Sequence, residues 1–176
     1  MRVTRGAVLK VPVVTALMTV VVLGPGLSAV AEPAPRGIAP EESAPRGVAP
    51  EADVSHHGRV SLAEERIGIQ LRTGNRGPSP LVDATVRLRF SAPLATWQRL
   101  PEGCMRGGTS TVLCETGPLR VAGDARRTAL GLRLAGRPAE VVVRVDTVWN
   151  GGASDRNRRN DTHEVLALST GDAYVF

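Results

Sequence analysis

The sequence predicts an all-β fold, a single antiparallel β-sandwich, on three observations. Short runs alternate apolar and polar residues, and they recur along the C-terminal two-thirds of the chain. Between them fall clusters of Gly, Pro, Asn and Asp, the residues that turns require. No stretch beyond residue 58 repeats its apolar residues every 3.6 positions, as a packed helix would. Short strands at regular intervals with turn signals between them describe a sandwich.

The elements follow in order. Val60 and Leu62 open a short strand, and Ile67, Ile69 and Leu71 alternate with Gly68, Gln70 and Arg72. Val82, Ala84, Val86, Leu88 and Phe90 form one face of a longer strand, with Asp83, Thr85, Arg87 and Arg89 on the other. Residues 94–98 read as a short edge strand and residues 109–114 as another. Leu130, Leu132 and Leu134 alternate with Gly131 and Arg133; Val141, Val143 and Val145 share a face that Thr147 and Trp149 continue. Residues 165–169 close the set. With two Phe, two Trp and one Tyr in the whole chain, the core must be mainly aliphatic.

Three segments divide the chain. Residues 1–31 read as a signal peptide: Arg2, Arg5 and Lys10 precede an apolar run at residues 11–23, and Ala29-Val30-Ala31 supplies small residues for cleavage before Glu32. The run is too short for a spanning helix, which needs about 20 apolar residues, and Gly24, Pro25 and Gly26 follow it. Residues 32–57 read as a disordered linker, because Ala34-Pro-Arg-Gly-Ile-Ala-Pro-Glu41 recurs as Ala44-Pro-Arg-Gly-Val-Ala-Pro-Glu51 with little apolar surface to offset the entropy of ordering. Residues 58–176 remain for the sandwich, enough for one domain.

Composition excludes several functions. Removing the signal leaves 19 basic and 17 acidic residues, a near-balance that gives no electrostatic case for nucleic acid. The sole lysine is Lys10, so the exported chain has no lysine nucleophile and no means of forming a Lys–Asn isopeptide cross-link. The same bias is what a genome rich in G and C would produce. No Ser lies in a GxSxG context, and the histidines are His56, His57 and His163. His56 and His57 with Asp53 could ligate a metal, but at a linker's end they read as solvated. Asp155, Asn157 and Asp161 could offer oxygens to calcium, yet Arg156, Arg158 and Arg159 oppose a cation there, so residues 155–161 read as a structural turn. No catalytic, metal or cofactor site is expected.

Cys104 and Cys114 are the whole thiol inventory. In an exported chain an even count at this spacing points to a disulfide, and a metal pair would want CxxC spacing or nearby histidines. The cysteines sit within a run of landmarks: Asn75-Arg-Gly-Pro78, Leu100-Pro-Glu-Gly103, Cys104 with Cys114, a turn from Leu119 to Gly123, and Asp155-Arg-Asn-Arg-Arg-Asn160. In that order they resemble the conserved-repeat, immunoglobulin-like domain of bacterial surface and secreted proteins. That family is a domain of unknown function related to bacterial cell-adhesion-like domains, and the likeness covers roughly residues 60–169. The resemblance implies an immunoglobulin-like antiparallel β-sandwich of about seven strands. It also implies a secreted or cell-surface, non-catalytic binding or structural role. The expected partner is an unknown protein or cell-wall glycan, with no nucleic acid and no membrane span after signal cleavage, and the chain is expected to be a monomer. Two other roles fit the sequence: a small regulator or inhibitor of an extracellular enzyme, presenting residues 94–108 with Arg99, Leu100 and Met105, and a carbohydrate-binding module, if Trp97 and Trp149 share an exposed face.

Overall fold

Period-two alternation drives the chain into strands wherever one face can be buried. The computed structural model describes residues 48–176, so the expected signal peptide and the linker up to residue 47 lie outside the described residues. Those described contain strands and no helix. One antiparallel sheet has four strands: β2 (Val54–Ala63), β3 (Arg66–Asn75), β7 (Arg126–Arg133) and β11 (Ala173–Val175), in the order β11-β2-β3-β7. The other has five: β4 (Thr85–Phe90), β5 (Cys104–Gly108), β6 (Thr111–Glu115), β8 (Glu140–Trp149) and β10 (Thr162–Leu168), in the order β10-β8-β4-β6-β5. A two-residue parallel pair, β1 (Glu51–Ala52) with β9 (Ser154–Asp155), completes the set.

The inward residues of both sheets meet in one aliphatic core. Val60, Leu62, Ile67, Ile69 and Leu71 come from the four-stranded sheet, and Val86, Leu88, Val112, Val143 and Val145 from the five-stranded one, all essentially without exposure. A smaller cluster of Ala52, Val54, Leu81, Ala84 and Leu119 fills one end. Ile67 and Val143 therefore face each other's sheets across the core; their strands do not pair.

Several expectations need correction. Strands occur before residue 58, within the segment expected to be linker, because Glu51 lies in β1 and β2 starts at Val54. His56 occupies an inward position there, so the apolar alternation that marks a strand was broken by a buried polar residue. Val82 is 84% exposed and precedes β4, whose inward face begins at Val86. A register shift between Thr85 and Val86, opposite Thr147 and Trp149, turns Trp149 outward to 49% exposure. Residues 94–98 form no strand; Leu94 makes an isolated bridge to Leu134. Conversely β5, β9 and β11 carry too little alternation to be read from sequence.

Candidate functional site

The two cysteines stand directly opposite each other on β5 and β6, with Cα atoms 4.1 Å apart and sulfurs at disulfide distance. Thr111–Glu115 has its inward residues, Val112 and Cys114, buried by the core, and the hairpin brings Cys104 across from Cys114. The clasp ties the edge strand β5 to β6, which β4 anchors.

The densest polar chemistry lies at the end of the molecule where β2 begins. Asn75, at the last position of β3, is 2% exposed and uses its whole carboxamide. Its Oδ1 accepts from the backbone N–H of Gly77 at 3.0 Å and of Asp53 at 3.2 Å. Its Nδ2 donates to the carbonyls of Ser79 at 2.8 Å and Leu119 at 3.4 Å. Gly77 is required beside it, since a Cβ there would come within 2.5 Å of the Ala52 and Asp53 backbone. The Asn-x-Gly-Pro turn thus docks the chain that leads into β2.

Residues 155–161 dock on the same segment. Asp155 accepts from the Val54 N–H at 2.8 Å through one oxygen and from the Asn157 N–H at 2.9 Å through the other. Asn160 donates through Nδ2 to Asp53 at 2.8 Å, and its carbonyl accepts from the His56 N–H at 2.8 Å. Asp161 is 3% exposed, and burial raises its pKa above the ordinary carboxylate value, against the bond it accepts from the Thr162 hydroxyl at 2.9 Å. The carboxylates of Asp155 and Asp161, weighed as calcium ligands, therefore serve backbone and side-chain donors. Among the described residues no group of three or more His, Cys, Asp or Glu is placed to hold a metal ion.

His56 departs furthest from expectation. It is fully buried on β2, and its ring bridges the sheets: Nδ1 lies 3.0 Å from the Thr73 hydroxyl on β3, and Nε2 lies 2.9 Å from the Thr147 hydroxyl on β8. A neutral imidazole has one donor and one acceptor, and a threonine hydroxyl can be either, so the pair suits the uncharged ring. Burial foremost, then the neighbouring His163 and His57, lower its pKa to about 4, while Asp146 pulls the other way. With both nitrogens engaged, His56 does not join His57 and Asp53 as a ligand set; His57 points outward and is exposed.

The tryptophans do not form one platform. Trp149 is paired with Thr85 at one end of β4, whereas Trp97, 93% exposed, follows the other end, where the Ala95 N–H bonds to the Arg133 carbonyl. Sequence reasoning missed Asn75 and His56 as cohesive centres, because Asp53 and Leu119 for the one, and Thr73 and Thr147 for the other, lie 17 to 91 residues away in the chain. No protein-family model, no curated protein and no solved structure matches this chain.

Proposed function

We propose that this chain is an exported, monomeric, immunoglobulin-like binding or structural domain that catalyses no reaction. The observation that carries the reading is where the reactive types of side chain are spent. His56, Asp155 and Asp161 face backbone amides and hydroxyls of neighbouring elements and hold strand ends together. An open sheet face remains as the working surface. The strand order supports the immunoglobulin-like assignment. β2, β3 and β7 in one sheet, with β4, β8 and β10 in the other, repeat the partition of A, B and E from C, F and G. The hairpin of β5 and β6, with β5 outermost, departs from a simple meander. Export is supported by the basic start, apolar run and Ala29-Val30-Ala31 of the sequence, and by a cysteine pair at disulfide distance. Among the described residues no helix is long and apolar enough to cross a membrane.

A second reading, a regulator of an extracellular enzyme, draws on the exposure of Trp97 at 93% and Met105 at 63% around Arg99. Expression of the full chain in an export-competent bacterium tests both. The released protein is expected to begin at Glu32 and to be retained by isolated cell envelope. Its retention by an active protease with loss of that protease's activity favours the regulator. Release with Met1 intact removes the signal-peptide assignment, and turnover of an added substrate removes the non-catalytic one.

A further inference from the structure

The outward faces of the two sheets treat charge differently. On the five-stranded sheet Arg87 donates to Asp146 at 2.5 and 3.1 Å, Arg89 stands 3.7 Å from the same carboxylate, and Arg144 lies 2.6 Å from Glu164. On the four-stranded sheet His57, Arg72 and Arg127 stand side by side in one cross-strand row of β2, β3 and β7. Arg59 and Gln70 occupy the next outward row. Among the described residues no carboxylate pairs with Arg59, Arg72 or Arg127. Two like charges directly opposite, about 5 Å apart, weaken a strand pair, and Arg72 faces Arg127 in that way. The sheet neutralises its other end, where Glu65 meets Arg133 at 3.4 Å and Arg137 at 3.2 Å. The middle is left uncompensated.

This row lies in a trough. A hollow of about 500 Å³ around Arg72 and Arg127 adjoins one of about 260 Å³, with which it shares Arg59, Gln70 and Ala129. It adjoins another of about 640 Å³ through His57 and Arg72. Gly68, Gly74, Ala129 and Gly131 keep the lining low. From Ser61 to Ser55 the trough runs roughly 20 Å at the rise of an extended strand.

We propose that this trough binds an extended strand of an acidic polysaccharide, with Arg72 and Arg127 holding its carboxylates. The proposal rests on the binding-domain reading and names the ligand class. Guanidinium forks match planar carboxylates with paired hydrogen bonds. Ser61 and Gln70 along the trough offer partners for sugar hydroxyls. A single-stranded nucleic acid would want exposed aromatic faces for its bases. Beside the single imidazole of His57 the trough offers only the ring of Phe176, which is half-buried, packs against the core and lies 5.2 Å from the ring of His163. Asp124 lines the far end and marks where an anionic strand must leave.

The test measures binding of the exported protein to polygalacturonate, with dextran, polyphosphate and single-stranded DNA in parallel. The double variant R72Q/R127Q is compared with R158Q/R159Q, which removes the same charge from the exposed 155–161 turn. Polygalacturonate is expected to bind, with affinity falling as salt rises. R72Q/R127Q is expected to weaken binding at least tenfold, and the control less than about twofold. Relief of the like-charge row should also leave R72Q/R127Q melting no lower than the parent. The proposal is overturned by equal losses in the two variants, by no binding of polygalacturonate, or by tighter binding of dextran, polyphosphate or DNA. Retention by cell envelope without binding to polygalacturonate would overturn this ligand class and leave the binding role standing; failure of both would remove both.

Discussion

At the scale of the residue, Asn75 shows how one buried side chain can organise a chain end. It satisfies two donors and two acceptors drawn from Asp53, Gly77, Ser79 and Leu119, segments up to 44 residues away in sequence. Replacement by alanine leaves those four backbone groups without their partner in a site water barely reaches, and each buried unsatisfied group costs about 1–3 kcal/mol. Asn75→Ala is therefore expected to lower the free energy of unfolding by about 3 kcal/mol or more in urea titrations. Asn157 supplies the comparison: it is exposed and its amide reaches Asp53 only at 3.5 Å, so Asn157→Ala should cost less than about 0.5 kcal/mol. Equal losses in the two variants would mean that the Asn75 network does not carry the junction.

At the scale of the element, legibility followed the pattern of burial. β3, β4, β7, β8 and β10 each set apolar residues to one side, and their existence could be read from Ile67-x-Ile69-x-Leu71 or Val141-x-Val143-x-Val145. β5, as Cys-Met-Arg-Gly-Gly, has no such face and owes its place to the cysteine opposite it. β2 was legible only in its second half, because His56 stands where alternation asks for an aliphatic residue. The candidate site divides the same way: the cysteine pair was visible as spacing, while the arginine row needed the register of three strands, which no local pattern carries. Two outcomes follow. Loss of both cysteines, as C104A/C114A, frees a short local loop, so the melting temperature should fall with the roughly 2–3 kcal/mol that such a loop closure contributes, and the far-ultraviolet spectrum should keep its β form. Hydrogen exchange should find the amides of Val54 and His56 protected, since they bond to Asp155 and to the Asn160 carbonyl. Free exchange there would return residues 54–57 to the linker.

At the scale of the whole molecule, the two sheets are joined by aliphatic burial and by one titratable bridge. His56 spans from Thr73 on one sheet to Thr147 on the other, and its folded-state pKa is lowered to about 4 from an ordinary 6.5. Above the ordinary value both folded and unfolded chains hold the ring neutral, and the bridge contributes fully. As pH falls below it, the unfolded chain takes up the proton first, and stability drops by about 1.4 kcal/mol per pH unit until the folded ring protonates as well. The total loss at the acid end is about 3 kcal/mol. Asp161 works in the opposite sense, because its raised pKa contributes stability below the carboxylate's ordinary 3.8 that is lost as pH rises through its folded value. Asp161 is present in the parent and in both histidine variants below, so its contribution cancels when they are compared. Glutamine at position 56 keeps a donor and an acceptor without the charge, and His57→Gln removes an exposed imidazole as a control. Urea unfolding at about pH 7 and about pH 4.5 should show the parent and His57→Gln each losing about 2 kcal/mol more than His56→Gln between the two conditions. If His56→Gln instead loses stability on acidification as steeply as the parent, the acid response belongs to carboxylates such as Glu65, whose pKa is lowered, and the histidine bridge is not the element that acid opens.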